Sequence, residues 1–246
     1  MEDAEYRRMF EVEDRLWWYR GLRAYLAEAI ARARVPAEAR ALDAGCGTGA
    51  NLVLLSSTVP RAIGCDLAPR AVALARSRGL TRTLVADVNA LPFRDGAFGC
   101  VLCADVFESA EIDERRALAE LARVTATGGT VLVTVAAYQW LLSEHDRAVH
   151  SVRRYTRGRA RRALSAPGLR AERVRYLFGT LLVPIVAFRL LRGLAGRRAD
   201  APRSDLFVPP APVNALLAGL VGVERALARV IALPFGTTLL LELRRG

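Results

Sequence analysis

A glycine-rich turn at residues 42–49, Leu-Asp-Ala-Gly-Cys-Gly-Thr-Gly, constrains this chain more than any other feature. A short apolar stretch precedes the turn, and a helix-like run over residues 50–56 follows it. A strand, a glycine loop and a helix in this order let a nucleotide approach the backbone of an α/β domain. Glycine at positions 45, 47 and 49 leaves no side chain in the way and permits backbone angles that other residues avoid. The turn therefore predicts an α/β fold with a nucleotide-type cofactor.

Asp43 indicates which kind of cofactor the glycine loop is expected to bind. Gly45, Gly47 and Ala50 also fit the pattern of dinucleotide-binding loops, and Asp66 lies about where a ribose-binding acid is expected. However, a carboxylate two residues before the loop would repel a pyrophosphate, which prefers the positive N-terminus of the helix. S-adenosylmethionine (SAM) has no phosphate and carries an ammonium and a sulfonium group, both of which an acid favours. Asp43 therefore favours SAM over NAD.

Residues 39–135 resemble class I SAM-dependent methyltransferases along five consecutive motifs, at 42–49, 63–67, 86–93, 98–105 and 124–135. The resemblance implies a Rossmann-like, seven-stranded α/β fold in which Asp66 holds the ribose hydroxyls and Asp87 reads the adenine amino group. Asp66 could instead cap the helix that starts near Pro69, and Asp87 could be a turn residue. The predicted cofactor contacts are Asp43, Gly45, Cys46, Gly47, Asp66, Leu67, Asp87, Val88 and Cys103.

The acceptor is expected beyond the fifth strand, because ligands of doubly wound sheets lie beyond the carboxyl ends of the strands. There, His-Asp at residues 145–146, His150 and Arg-Arg-Tyr-Thr at residues 153–156 resemble a motif of a bacterial subgroup of these methyltransferases. His145 is the first candidate for a general base and His150 the second, although both could be structural or bind the acceptor without proton transfer. The predicted acceptor contacts are Arg153, Arg154 and Tyr155, with a solvated basic helix as the alternative for the arginines.

Four regions are predicted along the chain. They are an N-terminal helical cap at residues 1–38, a SAM-binding core at residues 39–176 with an acceptor segment at 137–165, a helical insertion at 177–235, and a final strand at 236–246. The sixth and seventh strands are predicted at residues 169–177 and 237–244, and the insertion between them is interpreted as a lid over the acceptor site. In the cap, Arg20 or Arg23 could meet the SAM carboxylate, or the helix could serve packing alone.

Positive charge is concentrated in residues 147–203, which contain fifteen arginines and two acids. An apolar insertion flanked by arginines could lie on an anionic membrane or cover a hydrophobic acceptor; a homodimer interface or a simple lid is the equal alternative. The apolar run at residues 176–188 is too short to cross a membrane. Nucleic acid is not expected as a partner, because neither stacking aromatics nor a separate binding module is visible.

Composition favours a cytoplasmic enzyme. The sequence shows no signal-like N-terminus, and Cys100 and Cys103 fall on opposite faces of a strand, so they cannot jointly hold a metal. The main hypothesis is transfer of a methyl group from SAM to an oxygen or nitrogen of a small molecule that is hydrophobic, natural-product-like, or lipid- or sugar-linked. An RNA methyltransferase, an NAD-binding oxidoreductase and a non-enzymatic docking protein remain as alternatives.

Overall fold

A seven-stranded mixed sheet forms the centre of the molecule. The structure is a computed structural model that describes residues 2–36, 38–182, 184 and 206–246, without the side chains of residues 144 and 145. The strand order is β3-β2-β1-β4-β5-β7-β6, and β7 runs antiparallel to both of its neighbours. The strands are β1 (Ala41–Ala44), β2 (Ala62–Asp66), β3 (Thr83–Val85), β4 (Phe98–Ala104), β5 (Thr125–Ala136), β6 (Leu169–Leu177) and β7 (Thr238–Arg245). The predicted seven-stranded α/β sheet is confirmed.

Helices cover both faces of this sheet. They are α1 (Asp3–Val12), α2 (Trp17–Ala33), α3 (Ala50–Thr58), α4 (Pro69–Ser77), α5 (Glu114–Val124), α6 (Glu144–Ala148), α7 (Arg157–Ala163) and α8 (Ala211–Leu227). One buried cluster joins the sheet to α5 and α7, and the other joins it to α2, α3 and α8. Cys103 belongs to the first cluster and Cys100 to the second, so the prediction that they occupy opposite faces of β4 is confirmed.

Helix α8 is the described part of the predicted insertion, and it packs on α2. Val221 approaches Gly21 so closely that a Cβ at position 21 would lie 2.8 Å from a Val221 methyl group. Asn214 caps the start of α2, since its Oδ1 accepts a hydrogen bond of 3.0 Å from the backbone N–H of Trp17. The described helix therefore extends the core over α2. The lid remains a prediction, because most of its first half, residues 183 and 185–205, lies outside the described chain.

A buried glutamate fixes α8 to the chain that leaves β6. Glu224 accepts hydrogen bonds from the Tyr25 hydroxyl at 2.8 Å, from Phe178 N at 2.6 Å and from Thr180 N and Oγ1 at 2.7 Å. These donors satisfy both carboxylate oxygens, which removes most of the penalty for burying the group. Within the described chain, no helix combines the length and the apolarity needed to cross a bilayer.

Candidate cofactor and acceptor site

The glycine loop lies between β1 and α3, at the carboxyl edge of the parallel strands. Gly45 and Gly47 have φ angles of +78° and +52°, in the left-handed region. A Cβ on Gly45 would lie 2.3 Å from the Val106 side chain, so no larger residue fits. The backbone N–H groups of Gly45 and Cys46 both donate to Cys65 O at 2.8 Å, which ties the loop to β2. The loop thus presents backbone at the edge where a cofactor is expected.

Asp66 lies at the end of β2 and faces this loop. Its Oδ2 accepts a hydrogen bond of 2.9 Å from Gly47 N, and its Oδ1 accepts one of 2.9 Å from Ala68 N, just before α4. The Tyr6 hydroxyl is a third donor. Burial raises the pKa of Asp66, against the effect of these hydrogen bonds. Asp66 supports the turn just before α4, whose N-cap is Ala68 and which has no side-chain cap, and its position next to the loop suits the predicted ribose contact.

Asp43 is a buried carboxyl group at the end of β1. Neither of its oxygens has a hydrogen-bond partner among the described residues. Burial, followed by the charges of Asp66 and Glu13, raises the pKa of Asp43 to about 8. Since buried polar groups are almost always satisfied, the two oxygens indicate a missing donor or cation. The ammonium and sulfonium groups of SAM meet this need, whereas a pyrophosphate does not.

We expect the affinity for SAM to rise with pH because of Asp43. Below about pH 8 the free protein carries Asp43 in its neutral form, whereas a bound cation favours the carboxylate. Binding therefore releases a proton, and affinity increases as the pH rises toward 8, by up to about tenfold per pH unit. Calorimetry in buffers of different ionisation enthalpy would count the proton.

The isosteric variant Asp43→Asn is the matched control, because it keeps the shape and cannot ionise. It should lose this proton release and bind SAM more weakly than the wild type. Equal proton release in both proteins would show that Asp43 does not ionise upon binding.

The raised pKa of Asp43 also makes the stability of the protein depend on pH. The free energy of unfolding should fall as the pH rises from about 4 to 8, since the folded state holds the extra proton throughout that range.

The other predicted cofactor contacts divide into accessible and buried residues. Asp87 is half-buried, and its Oδ1 accepts hydrogen bonds from the backbone and side-chain nitrogens of Asn89 at 2.8 and 2.9 Å. Asp87 therefore stabilises a turn, which agrees with the alternative prediction that it is a turn residue. Leu67 is exposed beside Asp66, whereas Val88 and Cys46 keep only a few per cent of their surface accessible. Cys103 is completely buried in the core, which favours a packing role, and its contact with the cofactor stays a prediction.

Helix α1 closes the cofactor side of the cleft, and the sequence analysis did not single out Phe10, Glu13 or Arg78, which hold it there. The buried Glu13 accepts hydrogen bonds from Thr48 Oγ1, next to the glycine loop, and from Arg78 at 2.6 Å. Arg78 also lies 4.4 Å above the ring of Phe10. Arg23 donates a hydrogen bond of 2.7 Å to Glu13 O, so this arginine joins α2 to the end of α1. These contacts join residues far apart in sequence, so no local pattern indicates them.

Two carboxyl groups lie where β4 ends, on the acceptor side. Asp105 has a φ of +55° and accepts a hydrogen bond of 2.9 Å from Thr134 Oγ1. Asp105 occupies an exposed position, yet desolvation by the neighbouring protein atoms raises the pKa of its carboxyl to about 6. Glu108 accepts a hydrogen bond from Ala136 N, and burial, followed by the charge of Asp105, raises its pKa to about 8. Glu108 was not predicted, since an isolated acid after a strand carries no motif.

The acceptor segment is held in place by an internal ion pair and by hydrogen bonds to residues 109–114. Arg154 is buried and donates from Nε and Nη2 to Asp146 Oδ1 at 3.0 and 2.7 Å. Arg153 donates to the backbone oxygens of Ser109 and Ile112 at 2.9 and 3.1 Å. The buried Tyr155 donates to Glu114 Oε1 at 2.5 Å. These partners favour a structural role for the three predicted acceptor contacts, and their contact with an acceptor stays a prediction.

The structure describes the side chain of His150 but not that of His145. The His150 ring lies 3.4 Å from Glu2 Oε1 and 3.9 Å from Glu111 Oε1, at the edge of the cleft near the start of α1. Residue 150 has a φ of +59°, an unusual conformation for a residue other than glycine. The backbone of His145 lies in α6, but its side chain is outside what the structure describes.

Aromatic rings line the edge of the sheet after β5. The ring of Tyr138 stacks on Trp140 and on Tyr176, with centroid distances of 5.7 and 5.5 Å. Trp140 is 63% exposed, and the guanidinium of Arg157 lies 4.9 Å above the ring of Tyr176. Tyr176 is buried, so Trp140 is the ring that the stack exposes most. An exposed ring near a cation can bind a flat or apolar molecule that carries negative charge.

Comparison with known proteins agrees with this geometry. Residues 42–133 match the family described as methyltransferase domain. The chain is 43% identical to demethylmenaquinone methyltransferase of Thermus thermophilus over 112 residues, which is 43% of this chain and 50% of that protein. It is 36% identical to probable tRNA methyltransferase 9B of Mus musculus over 107 residues, 43% of this chain and 22% of that protein. The chain thus spans half or less of the length of these two relatives.

A solved structure extends the similarity to nearly the whole chain. It is the putative methyltransferase of Haloferax volcanii in complex with the Trm112 methyltransferase activator, with a TM-score of 0.64 and 25% identity over 99% of this chain and 95% of that one. Other solved structures of the same fold hold SAM or S-adenosylhomocysteine. The predicted Rossmann-like class I methyltransferase fold is confirmed.

Proposed function

From a class I methyltransferase fold that carries a methyltransferase domain at residues 42–133, we propose that this chain transfers a methyl group from SAM to a small-molecule acceptor. The observation that carries the proposal is the buried carboxyl of Asp43, beside the glycine loop, which has no hydrogen-bond partner among the residues that the structure describes. The site suits a cationic cofactor and disfavours a pyrophosphate. This preference argues against the NAD-binding alternative.

The described residues match three parts of SAM, namely its ribose, its positive charge and its adenine. Asp66 would hold the ribose hydroxyls, Asp43 would offset the positive charge, and Leu67 and Asp87 would border the adenine. When bound, SAM supplies a methyl group activated by its sulfonium centre. The protein must hold the acceptor in line with that methyl group and exclude water from the site. An oxygen or nitrogen acceptor also needs a group that takes its proton, and a histidine is suited to this at neutral pH.

The acceptor is proposed to be hydrophobic or aromatic and to carry a negatively charged group. The support is the stack of Trp140, Tyr138 and Tyr176 with Arg157 beside it, after the end of β5. Demethylmenaquinone methyltransferase, the similar protein of Thermus thermophilus, is named for an acceptor of small-molecule type. A lipid- or sugar-linked molecule fits the same surface.

Labelled SAM would test the proposed function directly. Purified protein is incubated with methyl-labelled SAM and an extract of the source organism, which is then split into solvent-soluble and aqueous fractions. We expect label in the solvent fraction. Nuclease-sensitive label in the aqueous fraction would favour the RNA alternative, and nuclease-resistant aqueous label would favour a polar metabolite. Absence of transfer from SAM in every fraction would argue against methyltransfer.

Replacing His145 with alanine should lower turnover about 100- to 1,000-fold while leaving the affinity for SAM within about threefold, if it is the general base. Turnover and SAM binding are measured on the same preparation. His150→Ala is the matched comparison, because it removes the same group from the same segment. Loss of turnover only in the His150 variant would transfer the role to His150. Full turnover in both variants would remove the histidines as bases.

A further inference from the structure

Asp105 directly follows the end of β4, in the middle of the sheet. β4 lies between β1, which carries Asp43, and β5, which leads into the acceptor segment. Ligands of this fold lie beyond the carboxyl ends of the parallel strands, so Asp105 is located between the expected positions of the cofactor's positive charge and of the acceptor. The residue is exposed there, whereas Asp43 is buried. A molecule bound in the cleft can therefore reach the carboxyl group of Asp105.

Strand β5 holds both the backbone and the side chain of Asp105. Its N–H donates to Thr134 O at 3.1 Å, and its Oδ1 accepts a hydrogen bond of 2.9 Å from Thr134 Oγ1. Its φ of +55° lies in the left-handed region, where aspartate and asparagine are more frequent than most other residues with a Cβ. Backbone held in this region is concentrated at functional sites. The two contacts fix the direction of the carboxyl group before any ligand binds.

One oxygen of Asp105 has no hydrogen-bond donor within the described chain. Thr134 donates to Oδ1, and no donor lies against Oδ2. The neighbouring Glu108 is similar, because its Oε1 accepts a hydrogen bond from Ala136 N, whereas its buried Oε2 has no partner among the residues described. Carboxyl groups that serve only structure use both oxygens in most proteins. The pair therefore has the capacity to accept hydrogen bonds from a bound molecule.

The groups around Asp105 leave it as the only ionised member of this pair at neutral pH. Desolvation raises the pKa of Asp105 to about 6, against its hydrogen bond and the charge of Arg154. Burial, followed by the charge of Asp105, raises the pKa of Glu108 to about 8. Burial and nearby charges, including that of Asp105, also raise the pKa values of Tyr19 and Cys103, so both stay neutral. Between pH 6 and 8, Asp105 is thus a carboxylate with a free oxygen and a pKa suited to accepting a proton.

We propose that Asp105 is a catalytic residue that takes the proton of the acceptor's hydroxyl or amine group while that group is methylated. The inference rests on the proposed methyl transfer and gives a described alternative to the histidines. The acceptor's oxygen or nitrogen forms a bond to the methyl carbon, the carbon–sulfur bond breaks with its electron pair passing to sulfur, and the acceptor's proton moves to Asp105 Oδ2. A neutral acceptor, a sulfonium and a carboxylate thereby become three neutral groups.

Asp105→Asn tests the proposal, because asparagine keeps the shape, tolerates the same φ angle and cannot take the proton. Transfer of label from methyl-labelled SAM to an extract of the source organism is measured from pH 5 to 9, with SAM saturating at every pH. The wild-type rate should rise about tenfold per pH unit up to about pH 6 and then level off. In the variant this rise should disappear, and transfer at pH 7.5 should fall about 100- to 1,000-fold.

Two further measurements separate proton transfer from other roles of Asp105. The affinity of Asp105→Asn for SAM, measured by calorimetry, should stay within about threefold of the wild type. Carboxyl ¹³C nuclear magnetic resonance of the free protein needs no acceptor, and it should show a titration near pH 6 that is absent from the variant. Asp95→Asn is the matched control, since it makes the same change at an exposed acid paired with Arg123. It should transfer label like the wild type.

Several results would overturn the proposal. The rise near pH 6 could persist in Asp105→Asn, or the variant could lose SAM affinity as strongly as turnover, which would assign Asp105 to the cofactor. Loss of the rise in His145→Ala, with the rise kept in Asp105→Asn, would assign the proton transfer to His145. No transfer by the wild-type protein in any fraction would overturn the proposed function, and this inference with it. Thermal unfolding verifies that each variant is folded.

Discussion

Replacing Asp66 with alanine should weaken SAM binding about 100-fold, equivalent to about 2.7 kcal/mol. The carboxylate is expected to accept hydrogen bonds from the ribose hydroxyls, and hydrogen bonds to charged groups contribute about 1.5–3 kcal/mol each. Its existing bonds to Gly47 N and Ala68 N hold it at the loop, so the acceptor atoms are already in place before binding. Isothermal calorimetry on the purified variant measures the effect.

Asp113→Ala controls for the loss of a cap. Asp113 precedes α5 and accepts hydrogen bonds from Arg115 N and Arg116 N, so its removal also frees two backbone donors, while its own backbone N–H keeps its bond to Asn89 Oδ1. It should lower stability slightly and leave SAM affinity unchanged. Unchanged affinity in Asp66→Ala would restrict that residue to supporting the turn before α4, whereas equal weakening in both variants would indicate a general loss of stability.

Replacing Arg154 with alanine should reduce the free energy of unfolding by about 3–5 kcal/mol. The guanidinium and Asp146 are both buried, and removal of one partner leaves the other charge without compensation. Asp146 also accepts hydrogen bonds from Ser143 N and Oγ at 2.6 and 2.8 Å, so the loss would loosen the loop before α6 as well. Urea denaturation followed by circular dichroism gives the free energy.

An exposed ion pair provides the comparison. Arg170 and Glu172 lie 3.2 Å apart on the surface, and Arg170→Ala should cost less than about 0.5 kcal/mol. Adding Asp146→Asn to Arg154→Ala should restore part of the stability, because the uncompensated carboxylate disappears. A loss below about 1 kcal/mol for Arg154→Ala would show that the pair is not important for folding, and would revive its predicted contact with the acceptor.

The strands were predictable because their signals are local. Residues 169–177 were predicted as the sixth strand, and β6 covers the same residues. Residues 237–244 were predicted as the seventh, and β7 is shifted by a single residue. The glycine loop and the start of α4 at Pro69 were equally readable, since each depends on backbone angles that few residue types adopt.

The partners of charged residues were not predictable in the same way. The sequence indicated that Arg153 and Arg154 lie after the fifth strand, but it contained no sign that Arg154 would be buried against Asp146. Glu13 and Arg78 are similar, because 65 residues separate them and only the folded chain brings α1 to the glycine loop. An arginine pattern gives charge, whereas the tertiary structure decides whether that charge meets a ligand or another residue of the protein.

The position of β7 between β5 and β6 has a consequence during synthesis. About a hundred residues separate Ala136 at the end of β5 from Thr238 at the start of β7. A ribosome adds them in about 5–20 s, and throughout that time the hydrogen-bonding edge of β5 is complete but has no partner. β6 emerges earlier and cannot take its place in the sheet until β7 arrives. The nascent chain therefore presents an open, apolar strand edge for seconds, which makes it a natural client for a chaperone that shields such edges.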